Sequence, residues 1–234
     1  MIDPRDTALQ RSCPTLAAPR FGALSEMHNG QRVIVAANGV FVQVKLDWLD
    51  CIVRIAYTAP VPPLPYGTVR ERIDFAFGVI PISLLEAFIE AGRTGLPNEI
   101  AGGLIYSRRT KNLRLQVYDA LRASPDGVEY RMPSLDDDES IAIDLHTHGI
   151  DRAFWSFTDN RDDQGVQVAG VFGNLDRDKP SAAFRLAVNG YYKPIRHPWE
   201  KPLDANEIGA EVIRDLDPRT TRSILRWLGV GRSR

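Results

Sequence analysis

The sequence has few cysteines and little net charge, and each shortage argues against a class of protein. Cys13 and Cys51 are its two cysteines and form no C-x-x-C pair, which disfavours a disulfide framework and favours a reducing compartment. A net charge of −1 over 234 residues provides no basic surface for DNA or RNA. We therefore expect no direct nucleic-acid ligand.

We also expect neither a membrane span nor a secretion signal. No uninterrupted apolar stretch approaches the roughly 20 residues of a membrane span. The N-terminus, MIDPRDTALQR, carries charges where a signal peptide needs its apolar run. The composition, 44% hydrophobic and 25% charged, is that of an ordinary soluble globular protein. We expect a cytoplasmic protein without a membrane partner.

The N-terminal part of the chain is rich in β patterns after thirty weakly patterned residues. Residues 32–46 predict two strands about an Asn38-Gly39 turn, and a second apolar run follows at residues 51–57. The proline-rich residues 59–67 indicate a connector. We divide the chain into an N-terminal β-rich region at 1–68, a central domain at 69–195 and a C-terminal helical extension at 196–234.

The central part alternates strands with one clear helix. Residues 82–93 have helical spacing, which places Leu84, Leu85, Phe88 and Ile89 on one face. A short helix within a loop is expected at 149–163. Strands are expected at 73–79, 99–107, 113–120, 140–148, 167–173 and 182–192. Two helices are expected in the tail, at 205–215 and 219–228. This order predicts an α/β or α+β fold, with a sheet flanked by helices.

Residues 146–159, H-T-H-G-I-D-R-A-F-W-S-F-T-D, contain the most informative motif. His146 and His148 stand at i and i+2 of a predicted strand, so both imidazoles point to one face and can reach one ion. Zinc accepts two histidine nitrogens and a carboxylate oxygen, here from Asp159, and leaves a fourth position for water. The ion lowers the pKa of such a water from near 16 to about 7. The motif therefore predicts a catalytic zinc site.

Two further residues would complete a hydrolytic site. Glu99 is the candidate general base, and Gly102 and Gly103 after it allow a neighbouring element to approach closely. The hydroxyl of Ser156 could stabilise the oxyanion that forms when water attacks an amide carbonyl. Hydrolysis of an amide bond requires these groups together.

Simpler interpretations of the same residues remain open. His146 and His148 could be ordinary core or surface histidines of a strand. Glu99 could be an ordinary strand-end carboxylate, Ser156 a local hydrogen-bonding residue, and Asp159 a helix N-cap. Asp144, two residues before His146, is expected to be a strand charge or a partner of an imidazole rather than a fourth ligand.

The pattern E…HxH-x7-S-x2-D resembles the signature of JAMM metalloproteases, the zinc-dependent branch of the MPN (JAB/Mov34) fold. The likeness covers roughly residues 80–192 and implies zinc bound by His146, His148 and Asp159, with Glu99 and Ser156 in catalysis. It also implies a cytidine-deaminase-like mixed β-sheet flanked by helices at 69–195, with an added N-terminal β region and C-terminal helices.

Two residues depart from the family pattern. Gly149 follows the second histidine, where family members usually carry proline, and Trp155 precedes the serine at a position that is often proline. These departures affect the expected shape of the loop and of the substrate groove, and leave the ligand set unchanged.

The resemblance implies hydrolysis of an amide or isopeptide bond at the C-terminal end of a ubiquitin-like or sulfur-carrier-like protein. The flanks resemble a family of bacterial MPN-domain proteins of the PRTRC plasmid cassette, which implies a ThiF-like (E1-like) cassette protein as a further partner. The alternative is a non-catalytic MPN scaffold that binds a partner protein of the cassette. A zinc-dependent deaminase is disfavoured, because its P-C-x-x-C ligands are missing from the sequence.

Overall fold

The computed structural model describes residues 3–58 and 62–197 and has a mixed α+β architecture built mostly of strands. Among these residues, no helix is long and apolar enough to cross a membrane. The tail helices expected at 205–215 and 219–228 lie outside the described residues.

The N-terminal part forms a five-stranded sheet with the strand order β1-β2-β3-β4-β5. After helix α1 (Pro4–Ser12), its strands are β1 (Thr15–Ala17), β2 (Gly30–Ala36), β3 (Gly39–Lys45), β4 (Leu49–Ala56) and β5 (Arg72–Phe75). The predicted hairpin is confirmed, since β2 and β3 pair as far as Ala36 opposite Gly39. Gly39 has a φ of 152°, and a Cβ there would lie 2.7 Å from the carbonyl oxygen of Ala56, so this close turn requires glycine.

Strand β5 is shorter than the expected strand at 73–79, which is wrong for residues 76–79. The strand ends at Phe75 because the chain turns there, with Gly78 at a φ of +71°. Leu49 pairs with Phe75, so the five-stranded sheet continues past residue 68. The division of the chain at residue 68 stays a prediction.

The second sheet has six strands in the order β13-β12-β11-β10-β6-β7. Its strands are β6 (Ala101–Ser107), β7 (Leu113–Val117), β10 (Glu139–Thr147), β11 (Val166–Gly173), β12 (Ser181–Val188) and β13 (Tyr191–Ile195). All neighbours are antiparallel except β10 and β11, which run parallel. Parallel neighbours require a crossover connection, and residues 148–165 form it.

Two segments expected to be single strands are each divided in the structure. Residues 113–120 belong partly to β7 and partly to β8 (Asp119–Ser124), which pairs with β9 (Gly127–Arg131) in a separate two-stranded sheet. Residues 182–192 turn back at Asn189-Gly190, where both residues have positive φ, and continue as β13. Asparagine and glycine tolerate this backbone, so the turn forms at these two residues.

Helix α2 (Ile82–Gly95) covers one face of the six-stranded sheet, as its predicted apolar face requires. Phe88 lies against β6, where a Cβ on Gly102 would be 2.9 Å from the Phe88 ring. The rings of Phe88 and Phe172 have centroids 5.8 Å apart. One hydrophobic cluster joins α2, this face of the six-stranded sheet and the five-stranded sheet. Burial of each large apolar side chain in it stabilises the fold by about 1.5–3 kcal/mol.

Side chains on the other face of the six-stranded sheet are more polar. A Cβ on Gly92 of α2 would meet Thr147, so Thr147 and Leu145 of β10 face the helix. Because side chains alternate along a strand, Asp144 and His146 face away from α2. Helix α3 (Phe157–Asp162) and the β8–β9 hairpin border a cleft of about 680 Å³ over this second face.

Candidate metal centre

The two histidines of the motif lie at the C-terminal end of β10. His146 pairs with Ala101 of β6 and Val171 of β11, which fixes its position in the middle of the sheet. His148 follows the strand, and its backbone N–H donates to the carbonyl oxygen of Phe172 at 2.7 Å, so the extended backbone continues past Thr147. The two imidazoles therefore share a face, and their Nε2 atoms are 3.2 Å apart.

Asp159 reaches the histidines from α3, where it takes part in a capping box with Ser156. The backbone N–H of Ser156 donates to Oδ2 of Asp159 at 2.6 Å, and the backbone N–H of Asp159 donates to Oγ of Ser156 at 3.2 Å. Oδ1 of Asp159 lies 3.3 Å from Nε2 of His146. Ser156, rather than Asp159, is thus the N-cap of the helix, and Asp159 both closes the cap and faces the histidines.

The three side chains fit the donor set of a zinc ion. Their potential ligand atoms all lie within 4.8 Å of one another. Among residues 3–58 and 62–197, these three side chains form a group that could hold a metal ion. Two ligand atoms bound tetrahedrally at the usual zinc distances are about 3.3 Å apart. The observed separations are 3.2 Å between the histidine nitrogens, and 3.3 and 3.9 Å from them to the oxygens of Asp159. Two imidazole nitrogens with one carboxylate oxygen suit zinc.

The three groups also polarise one another. Burial opposes protonation of His146, but Asp159, together with Asp144 and Glu99, outweighs burial and raises the pKa of His146. Burial would raise the pKa of Asp159, but His146 and the N–H of Ser156 hold that pKa well below its usual range. Burial and the neighbouring His146 lower the pKa of His148. The group therefore offers an ionised carboxylate to a cation.

Glu99 lies two residues before β6 and lines the same cleft as the ligand group. Its backbone N–H donates to the carbonyl oxygen of Ser124 at 2.9 Å, which attaches it to the β8–β9 hairpin. The residue is nearly buried, and burial raises the pKa of Glu99 to about 7. A carboxylate with a pKa near neutrality can both take up and release a proton.

The glycines after Glu99 have the role expected from the sequence. A Cβ on Gly102 would meet Phe88 on the α2 side, and a Cβ on Gly103 would lie 2.3 Å from the hydroxyl oxygen of Tyr118 on the cleft side. β6 is thus enclosed from both faces. This close packing positions Glu99 against the sheet that carries the histidines.

Asp144 lies on the cleft face of β10, two residues before His146. Burial raises the pKa of Asp144 to about 7, against the opposing effect of His146. Asp144 is not a member of the group able to hold an ion. Its place agrees with the expectation of a neighbour of the imidazole rather than a ligand.

The two departures from the family pattern have structural explanations. Gly149 has a φ of +53°, which proline cannot adopt, and a Cβ there would lie 3.0 Å from the carbonyl oxygen of Pro97. The ring of Trp155 stacks on the guanidinium of Arg185 at 3.9 Å and meets His146 edge-on, with ring centroids 6.2 Å apart. Trp155 therefore packs between Arg185 and the first histidine of the motif.

Sequence reasoning missed two parts of the site. One is the β8–β9 hairpin, which supplies a whole wall of the cleft, including Arg122 and Tyr130. The signal for it was Pro125-Asp126-Gly127, a typical turn between two strands. The other is the buried pair of Arg185 and Asp163, with exposed fractions of only 3% and 6%. No spacing in the sequence indicates this pair.

Comparison with known proteins supports one family for the part of the chain that contains the site. Residues 81–187 match a family model described as prokaryotic homologs of the JAB domain, and residues 3–76 match a domain of unknown function, DUF2016. A search of curated proteins finds no match. Among solved structures, the solution structure of protein DSY2949 from Desulfitobacterium hafniense is similar, with 17% sequence identity and a TM-score of 0.39. That likeness covers 52% of this chain and 92% of that one. The match at residues 81–187 supports a JAB/MPN-family domain in this part of the chain.

Proposed function

We propose that this protein is a zinc-dependent hydrolase of amide or isopeptide bonds, a metallopeptidase of the JAMM type. The observation that carries the proposal is the convergence of His146, His148 and Asp159 at the floor of a cleft that also contains Glu99. A bound zinc ion would polarise the carbonyl of the amide as a Lewis acid, and would lower the pKa of water so that it can lose a proton at neutral pH.

Glu99 is the group that moves the proton. It takes the proton of the attacking water on its carboxylate and returns it to the leaving nitrogen of the amide. Burial raises the pKa of Glu99, which favours holding the proton until it is returned to the leaving nitrogen. A cation held nearby lowers that pKa, which favours the ionised carboxylate that accepts the proton of the water. Glu99 is positioned by its backbone hydrogen bond to Ser124 and by the packing around Gly102 and Gly103.

The hydrogen bonding of Ser156 supports a second role for it, as a donor to the substrate. Its Oγ accepts the hydrogen bond of the helix cap, so its hydroxyl proton stays available to a negatively charged oxygen in the cleft. We assign this proton to the oxyanion of the tetrahedral intermediate, where one such donor contributes about 10²- to 10³-fold in rate.

We infer a protein substrate from the resemblance to the JAB family at residues 81–187. The substrate class is a ubiquitin-like or sulfur-carrier-like protein, cleaved at its C-terminal end, and a ThiF-like protein of a PRTRC-type cassette is the further partner. The cleft is partly open to solvent, and the β8–β9 hairpin and α3 line it, so an extended chain segment can enter it.

The first test is the metal content of protein purified without a chelator or a metal-affinity tag. We expect about one zinc per chain after zinc addition. Less than a tenth of an equivalent would reject the metal site and, with it, the hydrolase.

The second test is mass spectrometry of ubiquitin-like conjugates incubated with the zinc-loaded protein. We expect release of the free carrier, which is lost when Glu99 is replaced by glutamine. Stable complexes without cleavage, formed equally by the Glu99→Gln variant, would favour the alternative function, a non-catalytic scaffold. The five-stranded sheet, which shares a core with the JAB-like domain, is the surface that such a scaffold would add.

A further inference from the structure

Arg185 is a buried cation on the cleft face of the six-stranded sheet. It pairs with Ala169 across β11 and β12, and only 3% of the residue is exposed. Two aromatic rings stack on its guanidinium, and its Cζ lies 3.9 Å from the ring centroid of Trp155 and 4.3 Å from that of Tyr192. A charged group is expensive to bury, so a cation enclosed in this way has specific partners.

The edge of the same guanidinium binds the C-terminal end of α3. Nε and Nη2 donate to Oδ2 of Asp163 at 2.9 and 2.6 Å, and Nη1 donates to Oδ1 of Asn160 at 2.5 Å. Asp163 is the C-cap residue of α3, while Trp155 directly precedes its N-cap. One side chain therefore contacts both ends of the helix.

Helix α3 is held by polar contacts rather than by buried apolar side chains of its own. It contains six residues and buries none of them, and its large apolar residue Phe157 is 82% exposed. A helix this short is not stable by itself, so its position depends on tertiary contacts. Tyr192 adds a hydrogen bond to the backbone oxygen of Asn160 at 2.5 Å and is itself stacked on Arg185.

We propose that Arg185 is a positioning residue that sets the place of α3, so that Asp159 meets the two histidines and Ser156 faces the cleft. This inference rests on the proposed function for the identity of the ion. Partners that orient metal ligands typically contribute about 10- to 100-fold to metal affinity. Arg185 acts through a helix rather than through a direct bond to a ligand.

The test compares zinc affinity in Arg185→Met with the natural protein, by competition with a chromophoric chelator. We expect the affinity to fall about 10- to 100-fold. The visible absorption of the cobalt-loaded protein should also change, because the carboxylate ligand is displaced. Arg114→Met is the matched control: Arg114 lies in the same sheet and pairs with Glu139 rather than with α3. Its affinity and cobalt spectrum should equal those of the natural protein.

A second variant guards against simple loss of folding. Arg185→Met leaves the buried Asp163 without its cation, whereas Arg185→Met with Asp163→Asn leaves no unpaired buried charge. The double variant should fold and still lose zinc affinity. Natural affinity and an unchanged cobalt spectrum in the folded double variant would overturn the role of Arg185.

Hydrogen exchange of the metal-free proteins separates this inference from the proposed function. If Arg185 positions α3, amides of residues 156–163 exchange faster in the double variant than in the natural protein and in Arg114→Met. A natural protein that binds no zinc, with faster exchange in the variant, would reject the function and keep the positioning role. Equal exchange in all three proteins would reject the positioning role.

Discussion

The two faces of the six-stranded sheet have different surroundings, and adjacent residues of β10 point to opposite faces. Leu145 of β10 is fully buried beneath α2, within the cluster shared with the five-stranded sheet. His146, the next residue, points into the cleft beside Asp159. The face under α2 is closed and apolar, while the cleft face is open and contains buried charges such as Arg185.

We therefore expect the stability of the fold and the proposed chemistry of the cleft to be separable, because side chains alternate along β10. Apolar contacts on the face under α2 hold the strand in register. The strand in turn delivers the histidines to the other face. Substitutions on the two faces should therefore have different consequences, and each prediction below tests that separation.

The largest effect is expected on the cleft face, from Glu99→Gln. Glutamine keeps the shape of the side chain but cannot accept the proton of water, so the rate of hydrolysis should fall by roughly 10²- to 10⁴-fold. Zinc content should stay unchanged, and the free energy of unfolding should not fall, because neutral glutamine costs less to bury than the carboxylate whose pKa burial raises. The control is Glu90→Gln, on the exposed side of α2, which should keep the full rate. Loss of zinc in Glu99→Gln would make Glu99 a ligand, and full activity would place the base elsewhere.

The next effect is on the opposite face, from Leu145→Ala. Removing this fully buried side chain should lower the free energy of unfolding by about 2–5 kcal/mol, measured by urea unfolding of the metal-free protein. His148→Ala, three residues further along, should abolish zinc binding and change that free energy by about 1 kcal/mol or less. Equal destabilisation by both variants would contradict the separation, because His148 would then contribute as much to folding as a core residue.

A smaller effect is expected from substitutions of Ser156, which can separate its role as a helix cap from its role as a proton donor. Ser156→Ala removes both the cap acceptor and the hydroxyl proton, whereas Ser156→Gly also loses the hydroxyl but caps nearly as well as serine. Alanine should cost about 0.5–2 kcal/mol of stability and glycine only a few tenths. Both should lower the rate of hydrolysis, by up to about 10³-fold. If the glycine variant keeps the natural rate, Ser156 serves the cap alone.

The smallest effect concerns the two thiols and tests whether the shared core stays closed. Cys51 is fully buried, and burial raises the pKa of its thiol to about 11, whereas Cys13 is half-buried. Titration of the native protein with a thiol reagent should modify one cysteine per chain, and two after unfolding. Cys13→Ser should remove the native reaction. Rapid native modification of that variant would show that the core opens.

The ligand group could be predicted from the sequence because its geometry is local. His146 and His148 share a face through the period of a strand, and Asp159 follows within one short crossover. Helix α2 was predictable because its apolar residues repeat with helical spacing. In both places, the neighbours along the chain determine which way the side chains point.

The missed elements lack such a local signal. Helix α1 buries no residue, so no apolar spacing reveals it, although Asp3 caps it and Pro4 begins it. The β8–β9 hairpin is mostly exposed and has no clear alternation of apolar residues. Arg185 and Asp163 are 22 residues apart, and the distance between them depends on the register of β11 and β12. Contacts of this kind follow from the assembled sheet and not from a pattern.

The parallel pairing of β10 and β11 has a consequence for how the protein can vary. The crossover between these strands is secured at its two ends by main-chain bonds, from His148 to Phe172 and from Asn189 to Gly165. Loop-closure entropy grows slowly with length, by about 0.6 kcal/mol for each doubling of the loop. Residues inserted between these two fixed ends, outside the segment from Trp155 to Asp163 that carries the proposed ligand, would therefore change the outline of the cleft at little cost in stability. The sheet is a constant floor, while the rest of the crossover can change its shape independently of the fold.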